Sequence, residues 1–259
     1  MVALTPAHSA PRTIRPAGTS EALWQQGPTL AEVPTLPFTQ LLQPDQRLVV
    51  VAPHPDDEIL TCGGLLALHS ARGGATLVVA VTDGEASHPP QPTRSAQQLA
   101  SLRCAESHAG LLRLGVAAGP LQLRRLSLPD SALSRHTALL EGALSAWLQP
   151  YDVVVTTWRM DGHPDHEACG SAVARACRVA NSRLLEAPVW MWHWGQPGDA
   201  RVPWTSLVRV PLPAAVVARK QHALAAHASQ LLPARPGEAP ILGEAMASRL
   251  ARRAEYFFT

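Results

Sequence analysis

Short apolar runs alternate with longer mixed segments along most of this 259-residue chain. The apolar runs have the length and branching of buried strands, and they predict strands at 48–52, 76–81, 121–126 and 153–157. The segments that follow them predict helices at 58–72, 94–114, 134–148 and 166–180. This alternation is typical of a doubly wound, mostly parallel sheet with helices on both faces, a Rossmann-like three-layer α/β fold.

The two ends of the chain are less regular than its middle. Residues 1–45 are rich in Pro, Thr and Ser, which predicts an irregular leader that is wrapped on the domain or partly disordered. Beyond residue 182 the pattern predicts short apolar stretches at 189–194 and 207–210, a helix at 213–228 and a final helix that ends at 256–258. We expect residues 46–259 to form a single domain, because a chain of this length can bury a sizeable core.

Composition and charge disfavour several classes of protein. The formal net charge is +2 and no run of Lys or Arg stands out, which disfavours nucleic acid as a partner. No stretch approaches the about 20 apolar residues of a transmembrane helix, and the N-terminus lacks a signal-peptide core, so we expect a cytoplasmic protein. The 4 cysteines are widely spaced and are interpreted as buried free thiols. The sequence leaves both a monomer and a homo-oligomer open.

Two polar clusters follow predicted strands and carry most of the candidate chemistry. His54, Asp56 and Asp57 come directly after the first strand, in the run His-Pro-Asp-Asp-Glu. A second run, His-Pro-Asp-His at 163–166, follows the fourth strand after a short loop. Open parallel sheets bind ligands at the carboxyl ends of their strands, so the two clusters predict one catalytic crevice.

The imidazole and carboxylate groups of these clusters are standard ligands of a divalent metal ion. Catalytic zinc usually has three protein ligands and an open position for water, and His54, Asp57 and His166 satisfy that count. Two histidines and one carboxylate also suit non-haem iron(II), so the ligand set alone leaves both Zn²⁺ and Fe²⁺ open. The absence of a motif for an oxidative cosubstrate ranks Zn²⁺ first. The alternative is that Asp56 and Asp57 only cap the helix that follows. Capping accounts for one aspartate and leaves the second cluster unexplained.

Together, the two motifs resemble the PIG-L, or LmbE-like, family of metal-dependent N-deacetylases. The resemblance rests on Ala-Pro-His-Pro-Asp-Asp-Glu at 52–58 and on His-Pro-Asp-His at 163–166. It covers about residues 47–182 and does not include the leader. The best-known members of this family remove acetyl groups from N-acetylglucosamine conjugates, and the resemblance implies the same kind of substrate here.

The resemblance also implies a role for each polar residue of the two clusters. The three candidate ligands named above would hold the metal, and Asp56 would act as the base. His163 would assist the tetrahedral intermediate, which it could do as a protonated hydrogen-bond donor. Asp165 would hold an imidazole in one tautomer or keep it charged.

Four further residues are candidates for contact with the substrate. Glu85 resembles the family's acidic residue near the sugar, with a solvated turn as the alternative. Arg103 and Glu106 resemble the family's R-x-x-E helix, in which the arginine reaches the substrate, with a surface ion pair as the alternative. Asp130 resembles a sugar-contacting aspartate, or it belongs to a turn. Trp158 lies between a strand and the second cluster, where it is expected to form a wall of the pocket.

Three other features of the sequence bear on the site. Trp190, Trp192 and Trp194 alternate and are expected on one face of a strand, packed in the core or serving as a platform for a sugar or lipid. The stretch Lys220–Gln230 resembles the family's K-x-x-A-L-x-x-H-x-S-Q segment and predicts structural support for the site. Certain family members carry a mobile tyrosine where this chain has Asp161, so oxyanion stabilisation would fall to His163 and the metal.

The sequence therefore predicts a hydrolase that removes an N-acetyl group from an N-acetylglucosamine-type sugar or glycoconjugate. A metal-dependent amidohydrolase that acts on a non-sugar N-acyl substrate stays open, because the same metal, water and base would serve it. A nucleotide-binding protein is disfavoured, since Gly63 and Gly64 lie inside a predicted helix and no G-x-G-x-x-G follows the first strand. A purely structural metal is disfavoured because structural zinc sites use four protein ligands.

Overall fold

The computed structural model describes residues 12–14, 18–27, 29–89, 94–116 and 119–259, and its strands form one sheet. The strands are β1 (Leu48–Ala52), β2 (Thr76–Thr82), β3 (Leu121–Leu128), β4 (Val153–Thr157), β5 (Arg183–Ala187), β6 (Leu207–Pro211) and β7 (Ala254–Phe258). Their order across the sheet is β3-β2-β1-β4-β5-β7-β6. Strands β1 to β5 run parallel, whereas β7 is antiparallel to both β5 and β6.

Helices cover both faces of this sheet. They are α1 (Glu21–Gln26), α2 (Thr29–Glu32), α3 (Phe38–Leu41), α4 (Asp57–Ala71), α5 (Ala96–Leu114), α6 (Thr137–Trp147), α7 (Pro164–Ala180), α8 (Met191–Trp194), α9 (Ala214–Leu224), α10 (Ala228–Leu231) and α11 (Glu244–Arg249). Helices α4, α5 and α9 pack together on one face, and α6 and α7 pack on the other. The predicted three-layer α/β fold is confirmed, with an antiparallel pair added at one edge. No helix in the described ranges has the length and apolar character to cross a lipid bilayer.

The central strands are buried on both faces because their side chains feed two separate cores. Val50 and Val155 pack in the core beneath α4, α5 and α9. Their neighbours Val49 and Val154 point the other way, into the core beneath α6 and α7. Every residue of β1 and β4 is buried, which explains why these strands are continuous apolar runs in the sequence.

At the C-terminal side of the chain, one sequence prediction is wrong. The final helix was expected to end at 256–258, but helix α11 ends at Arg249 and residues 254–258 form strand β7. Glu255, Phe257 and Phe258 are buried, whereas Tyr256 is half-buried between them. An aromatic segment that pairs with two neighbouring strands is stabilised by cross-strand contacts, which local periodicity does not reveal.

The tryptophan-rich stretch is also not a strand. Residues 191–194 form the single helical turn α8, so the three tryptophans point to different surroundings. Trp192 is buried in an aromatic cluster, Trp190 is half-buried and Trp194 donates from Nε1 to the Asp161 carbonyl at 2.6 Å. The turn forms here because the Asp161 carboxylate, about thirty residues earlier in the chain, accepts hydrogen bonds from the backbone N–H groups of residues 189–191, where the turn begins.

The described part of the predicted leader packs on the domain. Trp24 is fully buried, and its ring lies 5.0 Å from the ring of Trp192 in an edge-on arrangement. Its Nε1 donates to the Trp192 carbonyl at 2.9 Å. Glu21 pairs with Arg252 at 2.7 Å, which ties helix α1 to the segment before β7. The prediction of partial disorder for residues 1–11 lies outside the described residues.

Helix α4 is kinked at Cys62, whose φ of −149° and ψ of 28° are not helical. The kink exposes two backbone N–H groups within the helix, at Gly64 and Leu65, and both donate to the Glu255 carboxylate at 2.7 and 2.8 Å. The Lys220 ammonium lies 2.5 Å from the same carboxylate and neutralises its charge in the core. Strand β7 and helix α9 therefore hold the shape of the helix that follows β1.

Candidate active site

The two polar clusters meet at the centre of the sheet. Strands β1 and β4 are hydrogen-bonded neighbours, although about a hundred residues separate them in the chain. The strand order reverses between them, because β2 and β3 extend the sheet on one side and β5 on the other. Such a switch point opens a crevice at the strand carboxyl ends. The β1–α4 turn brings His54 and Asp57 into it, and the N-terminus of α7 brings His166.

Asp57 lies between His54 and His166. Asp57 Oδ2 lies 3.2 Å from His54 Nδ1 and 3.3 Å from His166 Nε2. A tetrahedral ion with ligands at about 2.0–2.2 Å separates ligand atoms by roughly 3.3–3.6 Å, so both contacts of Asp57 Oδ2 match the spacing of ligands on one divalent cation. The imidazoles of His54, His163 and His166 likewise offer nitrogen atoms within 4.8 Å of one another.

Carboxylates face the outer nitrogen of each candidate imidazole ligand. His166 Nδ1 lies 2.8 Å from Asp161 Oδ2, and His54 Nε2 lies 3.3 Å from both Asp165 Oδ2 and Asp130 Oδ1. A carboxylate behind an imidazole fixes its tautomer and raises its basicity as a metal ligand. Sequence reasoning treated Asp161 only as a replaced tyrosine and missed this contact, because the carboxylate reaches His166 through a loop whose shape the sequence does not show.

The candidate ligands shift one another's pKa values through their charges. Burial raises the pKa of the Asp57 carboxyl, but the neighbouring imidazoles of His166 and His54 outweigh it and hold that pKa well below its ordinary range. Burial lowers the pKa of His166, but the charge of Asp57 and the hydrogen bond to Asp161 raise it to about 9. A cation that binds here must therefore displace protons, as metals do from imidazole sites.

Asp56 has an unusual backbone and a buried carboxylate. Its φ of 139° lies in a region that residues other than glycine rarely adopt, and its N–H donates to Glu58 Oε2 at 3.0 Å. Its carboxylate lies 3.1 Å from the Arg103 guanidinium. Burial raises the pKa of Asp56 to about 7, against the opposing charge of Arg103 and with a further increase from the neighbouring Asp57. These contacts hold the Asp56 carboxylate at the cavity that the three candidate ligands also line, where it can act as a base.

Arg103 and Glu106 do not form the surface pair that was the alternative for them. Arg103 is 2% exposed, and it donates to the carbonyl oxygens of Pro55 and Gly84 at 2.8 and 3.1 Å in addition to contacting Asp56. The Glu106 carboxylate accepts from the backbone N–H and the hydroxyl of Ser229. Arg103 thus holds the loops around Asp56, and Glu106 anchors helix α10.

His163 lies beside both candidate histidine ligands. Its ring centroid is 5.0 Å from that of His54 and 4.7 Å from that of His166. Burial, reinforced by the charge of His166, lowers the pKa of His163 to about 4, so this imidazole is neutral at pH 7. Its Nδ1 accepts from the Asp165 N–H at 3.3 Å, which leaves the proton on Nε2. The sequence interpretation used a protonated donor, whereas the hydrogen bond assigns a neutral Nε2–H.

A cavity of about 230 Å³ opens beside these groups. Its lining includes the candidate residues His54, Asp56, Asp57, Arg103, Asp130, His163 and His166. Trp190 and Gln230 also line it. The sequence offered Trp190 as a platform for a sugar or lipid, as the alternative to core packing, and placed Gln230 in a segment that supports the site. Trp158 is instead 3% exposed, with its ring 4.5 Å from that of Phe258, and it does not line this cavity.

Glu85 stands behind the cavity wall. Its Oε1 accepts from the backbone N–H of Asp130 at 2.9 Å, and Asp130 Oδ2 accepts from the N–H of Ala86 at 2.9 Å. Each carboxylate thus accepts a hydrogen bond from the backbone of the loop that carries the other. Asp130 lines the cavity, whereas Glu85 supports the segment that carries it.

The family model for PIG-L, described as GlcNAc-PI de-N-acetylase, matches residues 49–177. The chain is similar to a 1D-myo-inositol 2-acetamido-2-deoxy-alpha-D-glucopyranoside deacetylase of Tsukamurella paurometabola, with 30% identity over an aligned length of 257 residues. The alignment includes 75% of this chain and 86% of the relative. The matched region contains both polar clusters and the helices that carry them.

Solved structures share the fold at lower identity. A conserved protein of Thermus thermophilus superposes with a TM-score of 0.58 at 24% identity, covering 82% of this chain and 93% of the other. The zinc-inhibited form of a teicoplanin deacetylase gives a TM-score of 0.58 at 21% identity, covering 72% and 85%. These similarities show the fold, and the sequence matches show that the chain belongs to the PIG-L, or LmbE-like, family of deacetylases.

Proposed function

We propose that this protein hydrolyses the N-acetyl group of an N-acetylglucosamine-type sugar or glycoconjugate and releases acetate and a free amine. The observation that carries the proposal is that Asp57 Oδ2 lies 3.2 Å from His54 Nδ1 and 3.3 Å from His166 Nε2, in a cavity that Asp56 also lines. The names of the curated relatives, which are deacetylases of an acetamido sugar, support the choice of substrate class.

We further propose that His54, Asp57 and His166 hold a zinc ion, with iron(II) as the second choice. When bound, such an ion polarises the substrate carbonyl and lowers the pKa of water from 15.7 to about 7. The donor set of two imidazoles and one carboxylate suits this role, since it leaves a position for water. The carboxylates behind both imidazoles support the same assignment.

The residues around the ligands supply the proton transfers. Asp56 accepts a proton from the attacking water, whose oxygen forms a bond to the amide carbon. The Nε2–H of His163 donates to the carbonyl oxygen as negative charge develops there, a contribution of about 3 to 4 kcal/mol at comparable sites. When the C–N bond breaks, the amine nitrogen takes up the proton that Asp56 holds, and acetate leaves. Positioned proton transfer typically contributes ~10²- to 10⁴-fold to the rate.

For the sugar, we propose contacts from the cavity wall rather than from the residues behind it. The Asp130 carboxylate accepts from a substrate hydroxyl, and Glu85 acts through the Asp130 backbone. Arg103 acts through Asp56, because its three hydrogen bonds to Pro55, Gly84 and Asp56 leave it buried. Trp190 takes the place that the sequence interpretation gave to Trp158.

Two substitutions distinguish the role of the metal ligands from the role of the base. We expect Asp56→Asn to retain the metal and to lower kcat by about 10²- to 10⁴-fold, because only the proton acceptor is removed. We expect His54→Ala to lose the metal as well as the activity. The measurements are metal content by elemental analysis and acetate release from a panel of N-acetylated sugars and non-sugar amides. Asp199→Asn, in a loop ion pair with Arg201, is the matched control.

Full activity in either site variant would contradict the proposed site. Acetate release from non-sugar amides alone would favour the amidohydrolase alternative, since it would leave the site intact and change the substrate.

A further inference from the structure

A second, larger depression lies beside the catalytic cavity. It has a volume of about 1040 Å³, and Trp190 and Ile241 line both spaces. We call it the aglycone groove and define it by its apolar lining residues Ile14, Ala22, Trp190, Pro240, Ile241 and Met246. Three separate parts of the chain build it: the N-terminal segment, helix α8 with its preceding residue, and the segment that leads into α11.

The catalytic cavity alone is small for a conjugated substrate. At about 230 Å³ it is below the roughly 300 Å³ at which typical small-molecule sites begin. Metal ligands and acids occupy much of its wall, so it suits the reacting amide and one sugar ring. Any substituent on that ring must continue into a neighbouring space. The aglycone groove provides that space on the side of Trp190.

Apolar side chains form most of the lining of the groove, so an apolar substituent suits it best. The polar residues of the lining are Ser20, Glu21, His193, Glu244 and Ser248, and the Glu21 carboxylate is paired with Arg252 at 2.7 Å. The Trp190 ring lies nearly parallel to that of His163, with centroids 6.4 Å apart, and forms a flat wall that borders both spaces. Ile241, which also lines both spaces, is 38% exposed.

From these shared walls and the mostly apolar lining we infer that the substrate is an N-acetylated amino sugar with an apolar aglycone, an alkyl chain or an aryl group, that lies in the aglycone groove. The inference rests on the proposed function, since the acetamide must lie at His54, Asp57 and His166 while the aglycone passes Trp190. Burial of one methylene group contributes roughly fourfold in affinity, so a hexyl aglycone gains strongly over a methyl one.

Two substitutions fill the groove without touching the catalytic groups. A Cβ atom added at Gly243 meets no atom within 4 Å, and its φ of −68° accepts any residue. Gly243→Trp therefore occupies the groove, and Ala22→Trp does so from the opposite wall. Gly142→Trp is the matched control, because Gly142 also has no atom within 4 Å of an added Cβ and lies on the exposed side of α6.

The test compares hexyl and methyl N-acetylglucosaminides by acetate release. We expect kcat/KM to be at least tenfold higher for the hexyl glycoside in the wild type and in Gly142→Trp. In Gly243→Trp and Ala22→Trp the ratio should fall below threefold while the rate with the methyl glycoside persists. Equal kcat/KM for the two glycosides in the wild type, or an unchanged ratio in both groove variants, would overturn the inference.

A binding measurement keeps this inference separate from the proposed function. Calorimetry with hexyl and methyl glucosaminide, which carry no acetyl group, reports the groove without turnover. If the wild type releases no acetate from any sugar, the proposed function fails. Even then, at least tenfold tighter binding of the hexyl compound would support the aglycone groove as its binding site, provided that this difference is lost in Gly243→Trp. Equal binding of the two compounds would contradict the inference.

Discussion

Asp161 Oδ2 lies 2.8 Å from His166 Nδ1, and the same carboxylate accepts the backbone N–H groups of Val189, Trp190 and Met191 at 2.9 Å each. One buried side chain thus orients a candidate metal ligand and shapes the turn that carries Trp190. The place that holds a mobile tyrosine in some relatives therefore has a fixed, anchoring group in this chain.

Asp161→Asn should weaken metal binding. The amide cannot match the carboxylate as an acceptor from His166, and loss of such a partner typically costs about 10- to 100-fold in metal affinity. Competition for Zn²⁺ with a fluorescent chelator measures the change. Glu141→Gln, in an exposed pair with Arg175, is the control and should bind as the wild type does. An unchanged affinity in Asp161→Asn would show that His166 needs no partner.

Gln230 offers an acceptor to the catalytic cavity. It is 1% exposed, its Nε2 donates to the Ser229 hydroxyl, and within the described residues its Oε1 has no hydrogen-bond partner. We expect a substrate hydroxyl or N–H to donate to Oε1, so that Gln230→Ala lowers kcat/KM by about fivefold, chiefly through KM. Steady-state kinetics measures this, with the exposed Gln221→Ala on α9 as control. A fall in kcat alone would argue against a binding contact.

Lys220→Met should strongly destabilise the fold. It leaves the Glu255 carboxylate buried without its counter-charge, and breaking a buried pair by removing one partner typically costs about 3–5 kcal/mol. Urea denaturation measures the loss in the free energy of unfolding. Arg175→Met breaks the exposed pair with Glu141 and should cost at most about 1 kcal/mol. Similar losses in both variants would mean that burial of the Lys220 pair is unimportant.

His227 should make the protein sensitive to acid. Neither ring nitrogen has a hydrogen-bond partner among the residues that the structure describes, and burial, with the charges of Arg103 and Arg113, lowers the pKa of His227 to about 3. The unfolded chain binds a proton near pH 6.5 and the folded chain does not. Stability from this group is therefore complete above pH 6.5 and is lost as the pH falls toward 3, by about 3 kcal/mol at pH 4.5.

The test of this prediction is the free energy of unfolding at pH 7.5 and pH 4.5. His227→Leu should lose less stability between the two pH values than the wild type, by about 3 kcal/mol. His222→Leu, which removes an exposed imidazole on helix α9, should keep the wild-type difference. If His227→Leu and the wild type respond alike, another group governs the acid response.

The sequence was sufficient for the parts of the fold that depend on local pattern. Strands β1 and β4 are apolar runs because both faces are buried, so their ends, and with them His54 and His166, could be placed correctly at one crevice. The positions of Asp161 and Trp190 could not be predicted. Asp161 shapes residues 189–191 through hydrogen bonds across the fold, and Trp190 reaches the cavity only because that turn forms.

Strand β7 shows the same limit. Its segment could not be recognised as a strand because its partners, β5 and β6, lie elsewhere in the chain, and pairing with them decides its conformation. Trp158 was assigned to the pocket from its position near the second cluster. Sequence proximity did not show that its ring faces Phe258, on the side away from the cavity.

The contact of Glu255 with the kinked helix α4 has a consequence for synthesis of the protein. The two helix amides that it accepts lie 191 and 190 residues earlier in the chain. While the ribosome is still translating the segment before residue 255, helix α4 has been synthesised. The Glu255 carboxylate, which accepts hydrogen bonds from its kinked part, has not. The helix that begins with Asp57 can reach its final shape only after residue 255 has emerged. Closing so long a loop is a late and slow event, so the metal-binding arrangement is expected to mature after translation of this region.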